Sequence, residues 1–407
     1  MWLTEANAVQ KRALLAACLG WMLDSMDIML YSMVLAFMMR DLGMTKGTAG
    51  LMASLTLGAS AFGGILFGML ADRIGRARAM MTSILVYSLF TAACGLSQTV
   101  VQLAVFRIFL GLGMGGEWAC GAALVAETWP ARHRGKALGL MQSSWAIGYG
   151  LAAALTWIVL PRFGWRTVFF AGILPALAAV WIFRHVPEPE IWQRSRGQAG
   201  AASPGAGLLA LWRGAQRRDL VVTTAANAGT MFAWWGLFTW IPSFLSLPPD
   251  QGGAGLDIGS TSKWVIFMQV GTWLGYVAFG YISDWLGRRR TYAGFIFIAA
   301  ALVPLYASTR DPVHLLWIGP LIGFFGTGYF SGFGAITAEI FPTSVRASAQ
   351  GLTYNLGRGV SALAPFLIGA ISAGRGLGFA LLLASGSFLF AGIVALFLPE
   401  TRGRELA

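Results

Sequence analysis

The chain has 407 residues, of which 57% are hydrophobic and only 11% are charged. Soluble domains carry about 25% charged residues, so this composition excludes an ordinary soluble domain. The formal net charge of +12 would suit a nucleic-acid partner, but the basic residues are distributed according to membrane topology, and we expect no nucleic acid to bind.

Apolar runs of about 18–25 residues, long enough to cross the hydrocarbon core of a bilayer, recur along the whole chain. They predict an all-α membrane protein with twelve transmembrane helices, numbered spans 1 to 12, at approximately 12–37, 48–71, 79–98, 100–126, 137–160, 166–186, 219–245, 263–284, 291–308, 313–339, 347–373 and 377–398. In span 4 the run GLGMGG (111–116) places small residues where helices can approach closely. We interpret this run as a packing feature.

Lys and Arg residues are unevenly divided between the two sides of the membrane. With the N-terminus placed in the cytoplasm, about 20 of the 29 Lys and Arg residues fall on the cytoplasmic side and about 7 on the opposite side. This positive-inside bias predicts that both termini are cytoplasmic. We expect a multi-pass protein of a bacterial inner membrane that functions as a monomer in the lipid bilayer.

The sequence repeats itself at a constant offset of 212 residues. The loop GMLADRIGRAR (68–78) recurs as GYISDWLGRRR (280–290). The same offset relates Glu127 to Glu339, Pro130 to Pro342, Arg134 to Arg346, and Pro187-Glu188 to Pro399-Glu400. We therefore predict two six-helix bundles, 1–187 and 219–407, joined by a cytoplasmic linker at 188–218. Parallel repeats of this kind predict a pseudo-twofold axis along the membrane normal and a substrate site near the midplane.

Five ionisable residues lie well inside the predicted spans: Asp24, Asp27, Arg107, Glu117 and Arg358. Charged side chains at membrane depth are costly, so each is a hypothesis for a functional site. A carboxylate that alternates between a partnered, ionised state and an unpartnered, protonated state is a proton carrier. The three acids are therefore candidates for proton coupling. A static charge that only fixes helix packing is the alternative, and it stays open for all three.

Arg358 lies near the middle of span 11, with no acid within one turn on the same helix. Because a guanidinium can hold a carboxylate by two parallel hydrogen bonds, Arg358 is the main candidate for substrate contact, with Tyr354 and Asn355 one turn earlier. Pairing of Arg358 with one of the three acids is the alternative. The aromatic residues that we expect to line a cavity are Trp145, Tyr149, Trp234, Trp235 and Tyr329.

These motifs resemble the major facilitator superfamily over essentially the whole chain. The two repeated loops look like its signature loop, and ETWPARHRGKALG (127–139) and PETRG (399–403) look like its sugar- and acid-transporting branches. DSMD (24–27), FRIFLGLGMGGEW (106–118) and YNLGRG (354–359) look closest to the proton symporters of sialic acid and short carboxylates. The resemblance implies the twelve-helix fold of that superfamily, with two bundles.

The resemblance also implies roles for individual residues. In sugar symporters of the superfamily an acid of span 1 pairs with an arginine near the start of span 4, so protonation of Asp27 would release Arg107 and permit the conformational switch. Loop residues would form ion-pair latches that hold the outward-facing state, namely Asp72, Arg76, Glu127, Arg134, Asp284, Arg288, Glu339 and Arg346.

Span 7 departs from the pattern N-x-x-[ST]-H-x-[ST]-Q-D-x-x-x-T that related carboxylate permeases can carry. In NAGTMFAWWGLFT (227–239) the Asn and both flanking Thr positions are kept, but Trp234 and Trp235 stand where the Gln and Asp would be. Asn227 is therefore a candidate for substrate binding, whereas no particular carboxylate can be named.

The sequence favours proton-coupled uptake of a small organic anion, such as a monocarboxylate or a sugar acid, by alternating access. A proton symporter of a neutral solute and a drug–proton antiporter are the alternatives, although SWAIGYGLA (144–152) lacks the Gly-Pro motif that antiporters carry in span 5. A non-transporting sensor is less favoured, because only about nine residues follow span 12. The sequence contains no metal cluster, nucleophile–base pair or cofactor loop, so we expect neither an enzyme nor a cofactor.

Overall fold

The computed structural model describes residues 3–195, 216–341 and 346–402. The middle of the predicted linker 188–218 lies outside these ranges, and so does the side chain of Arg346. Every secondary-structure element within the described ranges is a helix, which agrees with the predicted all-α class.

The helices, in chain order, are α1 (Ala8–Asp41), α2 (Lys46–Ile74), α3 (Arg76–Cys94), α4 (Val100–Thr128), α5 (Ala131–Phe170), α6 (Pro175–His185), α7 (Glu190–Ser195), α8 (Arg217–Ser246), α9 (Ile258–Leu286), α10 (Arg288–Ser308), α11 (Pro312–Gly328), α12 (Phe330–Ile340), α13 (Arg346–Ser361), α14 (Ala364–Arg375) and α15 (Leu377–Ala395). Short 3-10 turns occur at Ala171–Ile173 and Pro249–Gln251.

Within the described ranges, ten helical segments are long and apolar enough to cross a membrane. That set counts residues 133–185 as one segment, although Gly164, with a φ of 77°, interrupts the helix there. The set does not include α8. When spans 5 and 6 are separated at Gly164 and α8 is taken as span 7, all twelve predicted spans are present. Spans 10 and 11 are each built from two consecutive helices, α11 with α12 and α13 with α14.

α8, which falls outside that set, is surrounded by protein over most of its length. Twenty of its 30 residues are buried, including Asn227 and Thr230. A helix packed on most sides by other helices does not need the continuous apolar surface that lipid contact requires. α1 is buried in the same way and carries Asp24 and Asp27 among its buried residues.

The described residues fall into two compact units. The first comprises 3–45, 51–195 and 258–266, and the second comprises 46–50, 216–257, 267–341 and 346–402. The first unit thus contains α1, most of α2 and α3–α7, and the second contains α8, most of α9 and α10–α15. The predicted bundle boundaries at 187 and 219 stay a prediction.

The glycine run of span 4 is a close-packing surface, as predicted. β-carbons added at Gly111 and Gly115 would overlap the backbone carbonyl oxygens of Thr56 and Ser60 on α2. Only glycine allows the backbones of α2 and α4 to approach this closely. This packing fixes α4, and with it Arg107 and Glu117, inside the first unit.

Candidate functional site

The charged residues well inside the spans of the first unit lie along one side of α1. The carboxylate of Glu117 lies against Gly20, where an added β-carbon would overlap it. The guanidinium carbon of Arg107 lies over Tyr31, 3.7 Å from the ring centre. These two contacts are about 15 Å apart along α4 and about 16 Å apart along α1 at 1.5 Å per residue. α4 therefore runs antiparallel to α1, and the distance between the Glu117 contact and the Arg107 contact is nearly the same along both helices.

Asp27 lies between these two contacts and is 1% exposed. Its Oδ1 is 3.5 Å from the β-carbon position of Gly172, in the 3-10 turn before α6. Thr91 lies beside the carboxylate, but the Thr91 hydroxyl donates to the carbonyl of Tyr87 at 2.8 Å. Neither carboxylate oxygen of Asp27 has a hydrogen-bond partner among the described residues. Asp24, one turn earlier, is equally buried.

Arg107 contacts groups other than Asp27. Its Nε donates to the carbonyl of Met52 at 3.2 Å, its guanidinium covers the Tyr31 ring, and its Nη1 has no partner in the described part of the chain. The Asp27–Arg107 ion pair implied by the resemblance is not formed in this structure. The pair remains a prediction for a state in which Asp27 is ionised.

A row of hydroxyl side chains on α3, which the sequence analysis did not select, faces the acids. Ser83, Tyr87 and Thr91 follow one another at intervals of four residues, which places them on one side of a helix, and all three are fully buried. Tyr87 lies within electrostatic range of Asp24 and Glu117. The spacing of these hydroxyls in an otherwise apolar span is the sequence signal that would have found them.

Two of the predicted aromatic residues lie on α5, next to α1. The Trp145 ring packs against Trp21 with ring centres 4.7 Å apart, and the Trp145 carbonyl accepts a 2.8 Å hydrogen bond from Ser25. Tyr149 is fully buried one turn further on. Both residues therefore lie beside the helix that carries Asp24 and Asp27.

Arg358 lies in the last turn of α13 and is 4% exposed. The ion pairs among the described residues of the second unit involve Arg288 and His314. No described Asp or Glu of that unit forms an ion pair with Arg358. The C-terminal end of a helix favours a cation, which helps to hold Arg358 there. Tyr354 is half-buried one turn earlier, whereas the Asn355 amide donates back to the Gly351 carbonyl of its own helix at 2.9 Å.

Asn227 is held beside Arg358 by its contact with α13. Its Nδ2 donates to the Thr353 carbonyl at 3.0 Å and lies against Gly357, the residue before Arg358. Its Oδ1 is buried and has no hydrogen-bond partner among the described residues. The structure thus places Asn227 against α13 at the residue that precedes Arg358.

The other aromatic candidates of the second unit form one cluster. The Tyr329 hydroxyl donates to the Thr230 carbonyl at 3.3 Å, and Trp234 Nε1 donates to the Thr327 hydroxyl at 3.1 Å. Trp234 also packs edge-to-face against Trp235, with ring centres 4.9 Å apart. Tyr329 is fully buried and belongs to the core of this unit.

The repeated loops form similar ion-pair networks, one in each unit. Arg76 pairs with Asp72 at 2.6 Å and with Glu127 at 3.0 Å. At the offset of 212, Arg288 pairs with Asp284, and with Glu339 at 3.3 Å. Arg134 is exposed at the start of α5.

A further acid in each unit, known from the sequence only as part of the repeat, caps the helix after the loop. Glu188 accepts hydrogen bonds from the backbone N–H groups of Ala77 and Arg78 at the start of α3. Glu400 accepts one from the N–H of Arg288 at the start of α10. The preceding residues, Gly75 and Gly287, have φ of 113° and 98°. A side chain at either glycine would also meet the capping carboxylate.

Comparison with known proteins agrees with this architecture. The family described as Major Facilitator Superfamily is matched over residues 17–249, and Sugar (and other) transporter over 317–407. The chain is 33% identical to the cis,cis-muconate transport protein of Acinetobacter baylyi, covering 96% of this chain and 94% of that protein. It is 30% identical to the sialic acid transporter NanX of Escherichia coli, covering 95% and 93%.

The fold is also that of a solved transporter. The partially occluded, inward-open structure of the xylose transporter XylE from Escherichia coli matches 98% of this chain and 100% of that chain, with a TM-score of 0.75 at 18% identity. Because the family is matched over more than half of the chain and the relatives over nearly all of it, the chain belongs to the Major Facilitator Superfamily and is a membrane transporter rather than an enzyme.

Proposed function

We propose that this transporter takes up a small organic anion together with protons by alternating access. Asp27 is the observation that carries this proposal, because its fully buried carboxylate has no hydrogen-bond partner among the described residues. An ionised, unpartnered carboxylate in such surroundings costs on the order of several kcal/mol. The protonated side chain is the form that suits these surroundings.

Arg107 provides the partner for the ionised form. It contacts Tyr31, which is one turn from Asp27 on α1, and its Nη1 is unengaged in the described part of the chain. Loss of the proton from Asp27 would draw the guanidinium over about 6 Å, the rise of four helical residues. In the proposed cycle, Arg107 exchanges the Tyr31 ring for the Asp27 carboxylate as the proton leaves.

Arg358 supplies the charge that recognises the anion. A guanidinium without an acidic partner in its own unit retains its capacity for two parallel hydrogen bonds to a carboxylate. Asn227 lies beside it with a buried Oδ1 that accepts no hydrogen bond from the described residues. That oxygen suits a hydroxyl or protonated group of the substrate.

A planar, unsaturated acid is the substrate class that we favour. The muconate transport protein, a relative at 33% identity, is named for such an acid. Trp234 and Trp235 replace the polar half of the carboxylate-permease pattern, and flat aromatic surfaces bind conjugated systems well. A sugar acid is the second candidate, because NanX is a sialic acid transporter and the C-terminal part matches the sugar transporter family.

Uptake by the purified full chain in proteoliposomes tests the proposal. Labelled cis,cis-muconate, N-acetylneuraminic acid and xylose represent a planar acid, a sugar acid and a neutral sugar. We expect accumulation of the planar acid when the interior is made alkaline, and loss of accumulation when an ionophore collapses the gradient. Accumulation of xylose alone, or of any acid without dependence on the gradient, would contradict the proposal.

We further propose that both termini are cytoplasmic in a bacterial inner membrane and that the monomer is the transporting unit. The positive-inside distribution of Lys and Arg supports the orientation. Single cysteines introduced at the exposed positions Glu5 and Arg402 should react with a permeant thiol reagent in intact cells but not with an impermeant one. Reaction of either with the impermeant reagent would reverse the assigned orientation.

A further inference from the structure

Tyr87 is the shared neighbour of three buried acids. It lies on α3, fully buried, within electrostatic range of Asp24, Asp27 and Glu117. Its hydroxyl is 3.5 Å from the carbonyl of Gly20, the residue against which the Glu117 carboxylate packs. The Tyr87 hydroxyl and the Glu117 carboxylate therefore converge on the same point of α1.

The Tyr87 hydroxyl forms a longer hydrogen bond than the hydroxyls of Ser83 and Thr91. Ser83 donates to the Gly113 carbonyl at 2.6 Å, and Thr91 donates to the Tyr87 carbonyl at 2.8 Å. Hydroxyl hydrogen bonds normally span about 2.5–3.0 Å, so the 3.5 Å contact of Tyr87 is at the outer limit. The Tyr87 hydroxyl is thus free to exchange partners.

Glu117 and Asp27 are too far apart along α1 for direct proton exchange. Glu117 and the Tyr87 hydroxyl both lie at the level of Gly20. At 1.5 Å per residue, Asp24 lies about 6 Å further along α1 and Asp27 about 10 Å further, so Asp24 is the aspartate nearer to the Tyr87 hydroxyl. Among the described residues, no three acidic, His or Cys side chains converge as metal ligands would. Away from the ends of the spans, the other ionisable side chains of this unit's spans are Cys18, Tyr31, Cys94, Arg107, Cys120 and Tyr149.

We infer that Tyr87 relays protons between Glu117 and Asp24, an inference that rests on the proposed proton coupling. A tyrosine hydroxyl both donates and accepts hydrogen bonds. The carboxyl proton of Glu117 passes to the Tyr87 oxygen while the hydroxyl proton of Tyr87 passes to the carboxylate of Asp24, one helical turn before Asp27. Tyr87 ends neutral, Glu117 becomes ionised, and Asp24 becomes protonated.

The test compares Tyr87→Phe with Tyr306→Phe in proteoliposomes of the full chain. Tyr306 is a matched control, because it is buried in the second unit and its hydroxyl has no hydrogen-bond partner among the described residues. The probe is labelled cis,cis-muconate, or the acid of the above panel that the wild type accumulates. Gradient-driven uptake and counterflow exchange are measured in the same vesicles, over a range of external pH.

We expect Tyr87→Phe to keep the wild-type rate of counterflow. Its rate of gradient-driven uptake should fall by roughly tenfold or more, because a proton-transfer group has been removed. Tyr306→Phe should keep both activities. Glu117→Gln should reproduce the loss, and the double variant should be no worse than either single variant.

Two results would overturn the relay. One is gradient-driven uptake by Tyr87→Phe at the wild-type level and with the wild-type pH profile. The other is an equal loss of counterflow and uptake, which would make Tyr87 a packing residue. A wild-type protein that shows no gradient-driven uptake of any acid would instead refute the proposed proton coupling itself.

Discussion

Arg107 lies over the ring of Tyr31, with its guanidinium carbon 3.7 Å from the ring centre. Tyr31 follows Asp27 by one helical turn, so the arginine occupies a place next to the carboxylate without pairing with it. A desolvated cation–π contact of this kind contributes about 2 kcal/mol. The contact gives Arg107 a defined position to occupy whenever Asp27 is protonated.

Replacement of Tyr31 therefore changes the pH dependence of transport. Tyr31→Leu removes the aromatic face, which favours the ion pair of Arg107 with ionised Asp27 over the released state. A higher proton concentration is then needed to protonate Asp27. The pH optimum of gradient-driven uptake should therefore move down by roughly one pH unit, since one unit corresponds to about 1.4 kcal/mol. Tyr31→Phe keeps the ring and should keep the optimum. Identical optima for the Leu and Phe variants would count against this role of Tyr31.

The contact of Glu117 with Gly20 makes a prediction about stability. A β-carbon at Gly20 would overlap the Glu117 carboxylate, so Gly20→Ala should lower the free energy of unfolding by about 1–3 kcal/mol, as overpacking does. Gly58→Ala is the control, because an added β-carbon there meets nothing within 4 Å. The measurement is the thermal midpoint in detergent.

The same change should be harmless when the carboxylate is absent. In a Glu117→Ala background, Gly20→Ala should leave the thermal midpoint nearly unchanged, because the overlapping atoms are gone. An equal drop in both backgrounds would mean that Gly20 is needed for another reason.

The loop network predicts a hierarchy of gating effects. The side chain of Glu127 is 20% exposed, whereas that of Asp72 is 73% exposed, and exposed ion pairs contribute little. Glu127→Gln should therefore shift the protein toward the inward-facing state more than Asp72→Asn does. The measurement is the reactivity of engineered cysteines from each side of the membrane. Arg73→Ala, an exposed neighbour, should change nothing, and unchanged reactivity in the Glu127 variant would refute the latch.

Arg358→Lys tests anion recognition. Lysine keeps the charge but loses the planar fork, so substrate affinity should fall by roughly tenfold or more, within the range for charge-assisted hydrogen bonds. Binding is measured by substrate-induced thermal stabilisation, with Arg375→Lys, at the exposed end of α14, as the control. Unaltered affinity in the Arg358 variant would assign this arginine a purely structural role.

Hydropathy and the offset of 212 residues were sufficient to predict the twelve spans, because both are properties of the sequence that packing cannot change. The capping of α3 by Glu188 was not predicted, since the two groups are about 110 residues apart and only the fold brings them together. The same limit applies to partners of buried charges. The family resemblance implied Asp27 as the partner of Arg107, whereas in this structure Tyr31 and the Met52 carbonyl occupy that place.

Tyr87 shows a different limit of sequence reasoning. The spacing of Ser83, Tyr87 and Thr91 marks one polar side of α3, but nothing within α3 indicates that acids of two other helices meet Tyr87. Its function depends on the register between α1 and α4, which the glycine contacts of α4 help to fix. By contrast, Arg358 was selected from its own span, because a charge at membrane depth is costly wherever its partners lie, and Asn227 was selected from the span-7 pattern.

The most direct test of proton coupling is uptake and counterflow by Asp27→Asn in the same vesicles, with and without an imposed pH gradient. Asparagine mimics the protonated carboxyl, so the variant should bind substrate and exchange it across the membrane. It should fail to accumulate substrate against a concentration gradient, whatever the pH difference. Concentrative uptake by Asp27→Asn that still follows the pH gradient would contradict the assignment of Asp27 as the proton carrier.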